Sequence, residues 1–257
     1  MHQGGIPRRA AAYAGGGRGI RYPGPVLPVR SVLVDFDGTA SPHDVAEHVL
    51  ERFANDDWRA LDDALERGEA GTYEVIRGQA AMLTASDDEL VAFATTHCAV
   101  DPTFAPFVRW LRERDVETTI VSDGFGFYIP PMLAAAGLAP DDVAIVTNTW
   151  SADDGDRIRF ENGHPECVGC GTCKMRAVLD ARARGPVAFV GEGMSDRYAA
   201  LYADVVFAKD VLIRYCEQDG VPYLGWNDFD DVRMSLESRG ELPGPVSPVR
   251  CPGWTPA

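Results

Sequence analysis

Short runs of consecutive apolar residues alternate along the chain with stretches whose apolar positions recur every three or four residues. That alternation predicts a parallel sheet with helices packed on both faces. The first run, Val32-Leu33-Val34, stops in Asp35-Phe36-Asp37-Gly38-Thr39. Side chains alternate along an extended chain, so Asp35 and Asp37 point to one side and Phe36 to the other. Later runs predict strands over residues 116–121, 143–147, 187–190 and 205–207, with a short one over 157–160 after a hairpin turn at Asp153-Asp154-Gly155-Asp156. The strand 116–121 runs into Ser122-Asp123-Gly124, and the strand 187–190 into Gly191-Glu192-Gly193-Met194-Ser195-Asp196.

Between the first two strands the period turns helical and stays so. Val45, Val49 and Phe53 share one face, then Trp58, Leu61 and Leu65, then Tyr73, Ile76, Ala80 and Leu83. Gly68 and Gly71 separate the second group from the third, and Ser86 with Glu89 forms a capping-box pattern at the start of a fourth helix. A helix carrying Phe104, Phe107, Val108 and Leu111 returns the chain to the sheet. Further helices are predicted over 132–136, capped by Gly137, around Met175, Val178 and Leu179, and over 211–216 and 229–236. The fold class expected is α/β: a three-layer, Rossmann-like core with a parallel sheet over residues 29–41 and 104–240, and an inserted helical cap domain over 42–103. The Gly/Arg/Pro-rich residues 1–28 and the Pro-rich residues 241–257 read as flexible tails.

Charge and cysteine usage narrow the functions available. The net charge is −15, although residues 1–30 hold five arginines and no acid, so the body should repel nucleic acid and anionic membranes. No apolar run approaches the ~20 residues of a membrane span, and the start lacks the apolar segment of a secretory signal. A cytoplasmic protein, monomer or homodimer, acting on a small molecule is the expectation. Six cysteines in 257 residues make no disulfide framework. His164, Cys167, Cys170 and Cys173, spaced by threes, are either packed thiols ahead of Lys174 or ligands for Zn²⁺.

Acidic residues at the carboxyl ends of strands lie where open α/β sheets bind ligands. Two like charges so close need a cation, a shared proton or a very wet site, and a hard divalent ion such as Mg²⁺, which prefers oxygen donors, is the simplest answer. In order and context, Asp35/Asp37, Ser122, Lys174 and Glu192/Asp196 resemble the four motifs of the haloacid dehalogenase superfamily of phosphatases, over about residues 29–236. The inserted helices resemble the C1-type cap of its subfamily IB, the phosphoserine-phosphatase-like group. Within it, the run from Ser122 to Tyr128, the cysteines leading into Lys174, and Phe207-Ala208-Lys209-Asp210 followed by Asn227-Asp228-Phe229 look most like the MtnX-type phosphatases, which act on 2-hydroxy-3-keto-5-methylthiopentenyl-1-phosphate.

The resemblance implies a Mg²⁺-dependent phosphomonoesterase. Asp35 would be the nucleophile that forms an aspartyl-phosphate, and Asp37 the general acid and then base, with its backbone carbonyl toward the metal. Ser122 and the amides near Asp123 and Gly124 would hold the phosphoryl oxygens, and Lys174 would neutralise Asp35 and the phosphate. Glu192 would complete the metal site, supported by Asp196. Glu192 departs from the family's usual Gly-Asp-Gly-x-x-Asp, which leaves open a weakly active or non-catalytic phosphometabolite-binding protein. The substrates implied are a methionine-salvage enol phosphate, or a phosphoserine- or phosphocholine-type ester. Asp44 either touches substrate or supplies charge at a helix N-terminus. Phe125 and Tyr128 either wall the pocket or fill the core. Arg59, Arg67 and Arg77 are candidates for a second anionic group on the substrate.

Overall fold

The computed structural model describes residues 29–55, 57–151, 157–167, 169–238 and 249–251. The expected tail over 1–28, most of that over 241–257, and the turn at Asp153-Asp156 lie outside these residues. Seven strands form one sheet: β1 (Ser31–Val34), β2 (Glu117–Phe125), β3 (Ala144–Trp150), β4 (Ile158–Arg159), β5 (Val187–Gly191), β6 (Val205–Ala208) and β7 (Leu224–Gly225). Their order is β4-β3-β2-β1-β5-β6-β7, and every neighbouring pair is parallel except β3 with β4. β1 is central, and all four of its residues are buried. This is why it reads as an uninterrupted apolar run.

Alternation along the strands divides the core into two layers. Val32, Val34, Ile120, Val190 and Phe207 face one side, where they pack with α5 (Phe104–Arg112), α6 (Ile129–Ala135) and α10 (Phe229–Glu237). Leu33, Val121, Phe189 and Val206 face the other, against α7 (Lys174–Arg182), α8 (Arg197–Ala200) and α9 (Asp210–Asp219). The inserted stretch forms four helices, α1 (Val45–Phe53), α2 (Trp58–Glu66), α3 (Thr72–Met82) and α4 (Asp87–His97). Ser86 and Glu89 close the expected capping box. Polar bonds tie these helices to the sheet: Trp150 Nε1 donates to Asp87 Oδ1 at 2.8 Å, and Arg157 Nη2 donates to the Ala85 carbonyl at 3.0 Å.

Two expectations need correction. β2 continues through Ser122-Asp123-Gly124 to Phe125, with an irregularity in its pairing to β3 between Val121 and Phe125. At Gly124 a side chain would collide with the Tyr128 hydroxyl and the Asp37 carboxylate, so glycine serves close approach. Inside the stretch 241–257, Cys251 is buried and its amide donates to the Tyr202 hydroxyl at 3.3 Å, so at that residue the chain is anchored rather than loose.

The helix that begins at Lys174 is held to the sheet by a half-buried ion pair. Arg182 donates from Nε and Nη2 to Asp204 at 3.0 and 2.8 Å, and Asp204 also accepts from the Val187 amide at 2.9 Å. Asp204→Ala leaves the buried Val187 amide without its acceptor and frees the guanidinium to water, and is expected to lower unfolding free energy by about 1–3 kcal/mol. Urea denaturation measures it.

Candidate active site

The central strand ends by delivering Asp35 into the crevice, where the chain makes one wide turn over Phe36–Ala40. Gly38 takes φ +70°, and its amide donates to the His43 carbonyl at 3.1 Å. Lys174, at the first turn of α7, is 3% exposed. Its Nζ donates to Asp35 Oδ1 at 2.6 Å, Asp196 Oδ1 at 2.7 Å and Ser195 Oγ at 2.9 Å. Burial pulls the ammonium down, but the carboxylates of Asp196 and Asp35 outweigh it and hold Lys174 above its ordinary value. The other oxygen of Asp196 accepts the Glu192 and Gly193 amides at 2.9 and 3.0 Å. With both oxygens so engaged, Asp196 fixes the Glu192 loop and Lys174 together.

Asp37 lies on the same side as Asp35. Its Oδ1 accepts the Val45 amide at the start of α1 at 2.9 Å, and its Oδ2 accepts the Tyr128 hydroxyl at 2.7 Å. Burial and the nearby Asp44 charge push it up to about 7, against the pull of those two hydrogen bonds. A carboxyl in that range exchanges a proton readily near neutrality. Glu192 is likewise pushed up to about 7, by burial and by Asp196 and Asp210.

A divalent cation fits this donor set. The groups are all hard oxygen donors, and burial with neighbouring carboxylates (Asp44 for Asp37, Asp196 and Asp210 for Glu192) pushes both up to about 7, a cost that a metal's charge would relieve. Glu192 also has a made place: a Cβ on Gly38 would lie 2.9 Å from its carboxyl carbon. The glycine leaves room for the extra methylene. Gly38→Ala, strained at φ +70° and pressing on Glu192, is expected to raise the Mg²⁺ concentration for half-maximal activity about tenfold, as a metal titration of rate would show.

The remaining predicted residues fall into three groups. Ser122 is buried, and its Oγ accepts the Gly124 amide at 3.1 Å beside Asp35 and Asp37 in one cavity. The Asp123 carboxylate also lines the cavity but is taken up by hydrogen bonds. It accepts the Thr172 amide at 2.6 Å, the Thr72 hydroxyl and, at 3.3 Å, the Asn148 amide, joining α3, the loop before α7 and β3. Asp44 both caps α1, accepting the Glu47 amide at 2.9 Å, and lines the cavity. Phe125 is fully buried against Phe127 and Trp150 and does not line the cavity, so as a pocket wall it is corrected to core. Tyr128 is also fully buried and touches the site only through its hydroxyl on Asp37.

The cavity has a volume of about 390 Å³ and reaches from Asp35 and Lys174 up to α1, α2 and α3. None of Arg59, Arg67 and Arg77 lines it. His164, Cys167, Cys170 and Cys173 surround a separate space of about 20 Å³, joined there by Cys251. Among the described residues, however, no three His, Cys, Asp or Glu side chains are arranged to hold a metal ion by themselves. A structural zinc needs four such ligands, so the Zn²⁺ expectation finds no support, and burial pushes Cys170 up to about 12. Mg²⁺ differs, because it keeps several waters and takes only one or two carboxylates. Thr72, Asn148 and Ser195 are site residues that sequence reasoning missed; only Ser195, one residue before Asp196, lay inside a motif.

Two aspartates just past the end of the central strand, with a buried lysine bonded to the first of them and inserted helices above, form the site of a hydrolase. The haloacid dehalogenase-like hydrolase model matches residues 32–201, and the chain belongs to that family. The 2-hydroxy-3-keto-5-methylthiopentenyl-1-phosphate phosphatase of Geobacillus kaustophilus is 29% identical over 80% of this chain and 94% of its own. The bifunctional enzyme MtnB/MtnX of Bacillus licheniformis is 28% identical over 82% of this chain, which spans half of that protein's length. Among solved structures, a phospho-aspartyl intermediate analogue of phosphoserine phosphatase superposes with a TM-score of 0.59 at 17% identity, over 80% of this chain and 98% of that one. It shares the fold.

Proposed function

We propose that the protein is a Mg²⁺-dependent phosphomonoesterase working through an aspartyl-phosphate, with α1–α4 acting as its cap. The observation that carries the reading is Lys174 Nζ between Asp35 and Asp196, at 2.6 and 2.7 Å, at the closed end of a cavity that also holds Asp37, Ser122 and Glu192. The Asp35 carboxylate attacks phosphorus while Asp37 gives its proton to the departing alcohol oxygen, and the ester P–O bond breaks. Asp37 then takes a proton from water, whose oxygen attacks the same phosphorus and releases Asp35 and inorganic phosphate. Burial and the Asp196 charge push Asp35 up, Lys174 opposes them, and its ammonium with Ser122 would hold the phosphoryl oxygens. Asp35, the Asp37 carbonyl and Glu192 would hold Mg²⁺, whose charge neutralises the transferring group.

The names of the relatives make 2-hydroxy-3-keto-5-methylthiopentenyl-1-phosphate one ester to assay. Glu192 carries the second reading, a binder of phosphate esters with little turnover. Hydrolysis of an aryl phosphate with Mg²⁺, abolished by EDTA and restored by added Mg²⁺, is the expected result. Binding of natural phosphate esters with no turnover under any divalent ion would favour the second reading.

A further inference from the structure

Ser122-Asp123-Gly124 lies where the sheet ladder lapses. The pairing of β2 with β1 runs to Ile120, and its pairing with β3 is interrupted between Val121 and Phe125. Side chains hold the segment instead. Asn148, 0% exposed, donates from Nδ2 to the Asp123 and Gly124 carbonyls at 2.9 and 3.2 Å, and its Oδ1 accepts the Thr172 hydroxyl at 3.1 Å. One oxygen of the buried Asp123 carboxylate accepts the Thr172 amide, two residues before Lys174. The other accepts the hydroxyl of Thr72, the first residue of α3. The start of α3 reaches that bond by close packing. Thr72 Oγ1 also accepts the Gly171 amide at 3.3 Å, and the Tyr73 and Phe160 ring centroids lie 4.4 Å apart. A Cβ on Gly71 would overlap the Gly169 carbonyl oxygen, and one on Gly171 would lie 2.6 Å from Asp123 Oδ1. Glycine at both positions admits the helix start to the loop. One carboxylate therefore touches the inserted helices, the segment beside Ser122 and the residues that lead into Lys174.

We infer that Asp123 is a positioning residue, and that the hydrogen bond it accepts from Thr72 couples the docking of α3 to the geometry in which Ser122 and Lys174 meet the phosphoryl group. The inference rests on the phosphatase reading and deepens it. Asp123 acts here through its neighbours and without touching the ester. With no ladder to hold residues 122–124, loss of the Thr72 bond lets the segment shift, and a displacement of about 1 Å at a reacting group can cost on the order of 100-fold in rate. A hydroxyl donating to a buried carboxylate is charge-assisted, so this one bond is strong enough to set the position. Thr72 also lines the cavity, so contact with the ester is the rival role, and it has a different kinetic signature.

Thr72→Val keeps the shape of the side chain and deletes the hydroxyl, whereas Thr72→Ser keeps the hydroxyl. On an aryl phosphate with Mg²⁺, kcat is expected to fall about tenfold or more in Thr72→Val, with KM within about twofold of the parent. Thr72→Ser should bring kcat back to within about threefold of the parent. Asp123→Asn removes the acceptor, and adding Thr72→Val to it should cost less than about twofold more, because both substitutions break the same bond. If Asp123→Asn does not fold, the two Thr72 variants decide the matter. A rise in KM with kcat unchanged in Thr72→Val would make the hydroxyl an ester contact and overturn the inference. Unchanged kcat with a lower unfolding free energy would make the bond structural only, and losses that multiply in the double variant would make the two groups independent. Either result overturns the inference and leaves the phosphatase reading standing. Failure of the unaltered protein to hydrolyse the aryl phosphate or any natural phosphate ester overturns both.

Discussion

Asp35→Asn is expected to lower kcat on every phosphate ester by at least about 10⁴-fold, because an amide is a poor nucleophile and cannot carry the phosphoryl group. The fold should survive. Lys174 keeps Asp196 at 2.7 Å and Ser195 at 2.9 Å, and an asparagine oxygen can still accept from its ammonium. Steady-state kinetics on an aryl phosphate gives the loss, and circular dichroism of the same sample shows whether the fold is intact. A loss confined to KM would mean that Asp35 binds the ester without attacking it.

Lys174→Met should damage both activity and stability. Methionine matches the length of the stem but leaves Asp35 and Asp196, 5% and 0% exposed, as buried carboxylates without their counter-ion. Breaking a buried pair from one side costs about 3–5 kcal/mol. Because the folded state raises Lys174 above its ordinary 10.5, its contribution is complete at neutral pH and is lost only as pH climbs through the raised value. The stability deficit of the variant should therefore be full at pH 7. Turnover should fall by at least about 10³-fold, since neither Asp35 nor the phosphoryl oxygens keep their positive neighbour. Chemical denaturation and kinetics measure the two effects separately. A variant as stable as the parent would mean that the two carboxylates are protonated or hydrated rather than paired.

What the sequence made legible was local. Asp35 and Asp37 share a side because strand geometry alternates, and the helices α1–α4 follow from periodicity and from the Ser86–Glu89 cap. Ser122 and Glu192 follow apolar runs, Lys174 precedes a helical pattern and Asp196 follows the glycines after Val190, so their order alone suggested convergence. The contacts that position them are long-range and carry no such signature. Tyr128 reaches Asp37 across 91 residues and Thr72 reaches Asp123 across 51. An aromatic beside a strand end reads equally as pocket or core, and the structure makes Phe125 core and Tyr128 a buried partner of Asp37. Cys251 was missed for a similar reason: nothing local marks a residue in a Pro-rich end as one that packs beside Cys170 and Cys173. The arginines of the inserted helices were equally ambiguous, since a helical pattern does not say which polar side chains face a cavity and which face solvent.

The central claim is that Asp35 carries the phosphoryl group, and rapid acid quenching of the working enzyme tests it most directly. Protein mixed with Mg²⁺ and excess aryl phosphate, quenched during turnover and digested, should yield a phosphorylated peptide containing Asp35 when analysed by mass spectrometry, and Asp35→Asn should yield none. Sustained turnover by Asp35→Asn, or a phosphoryl group found on another residue, would contradict the account.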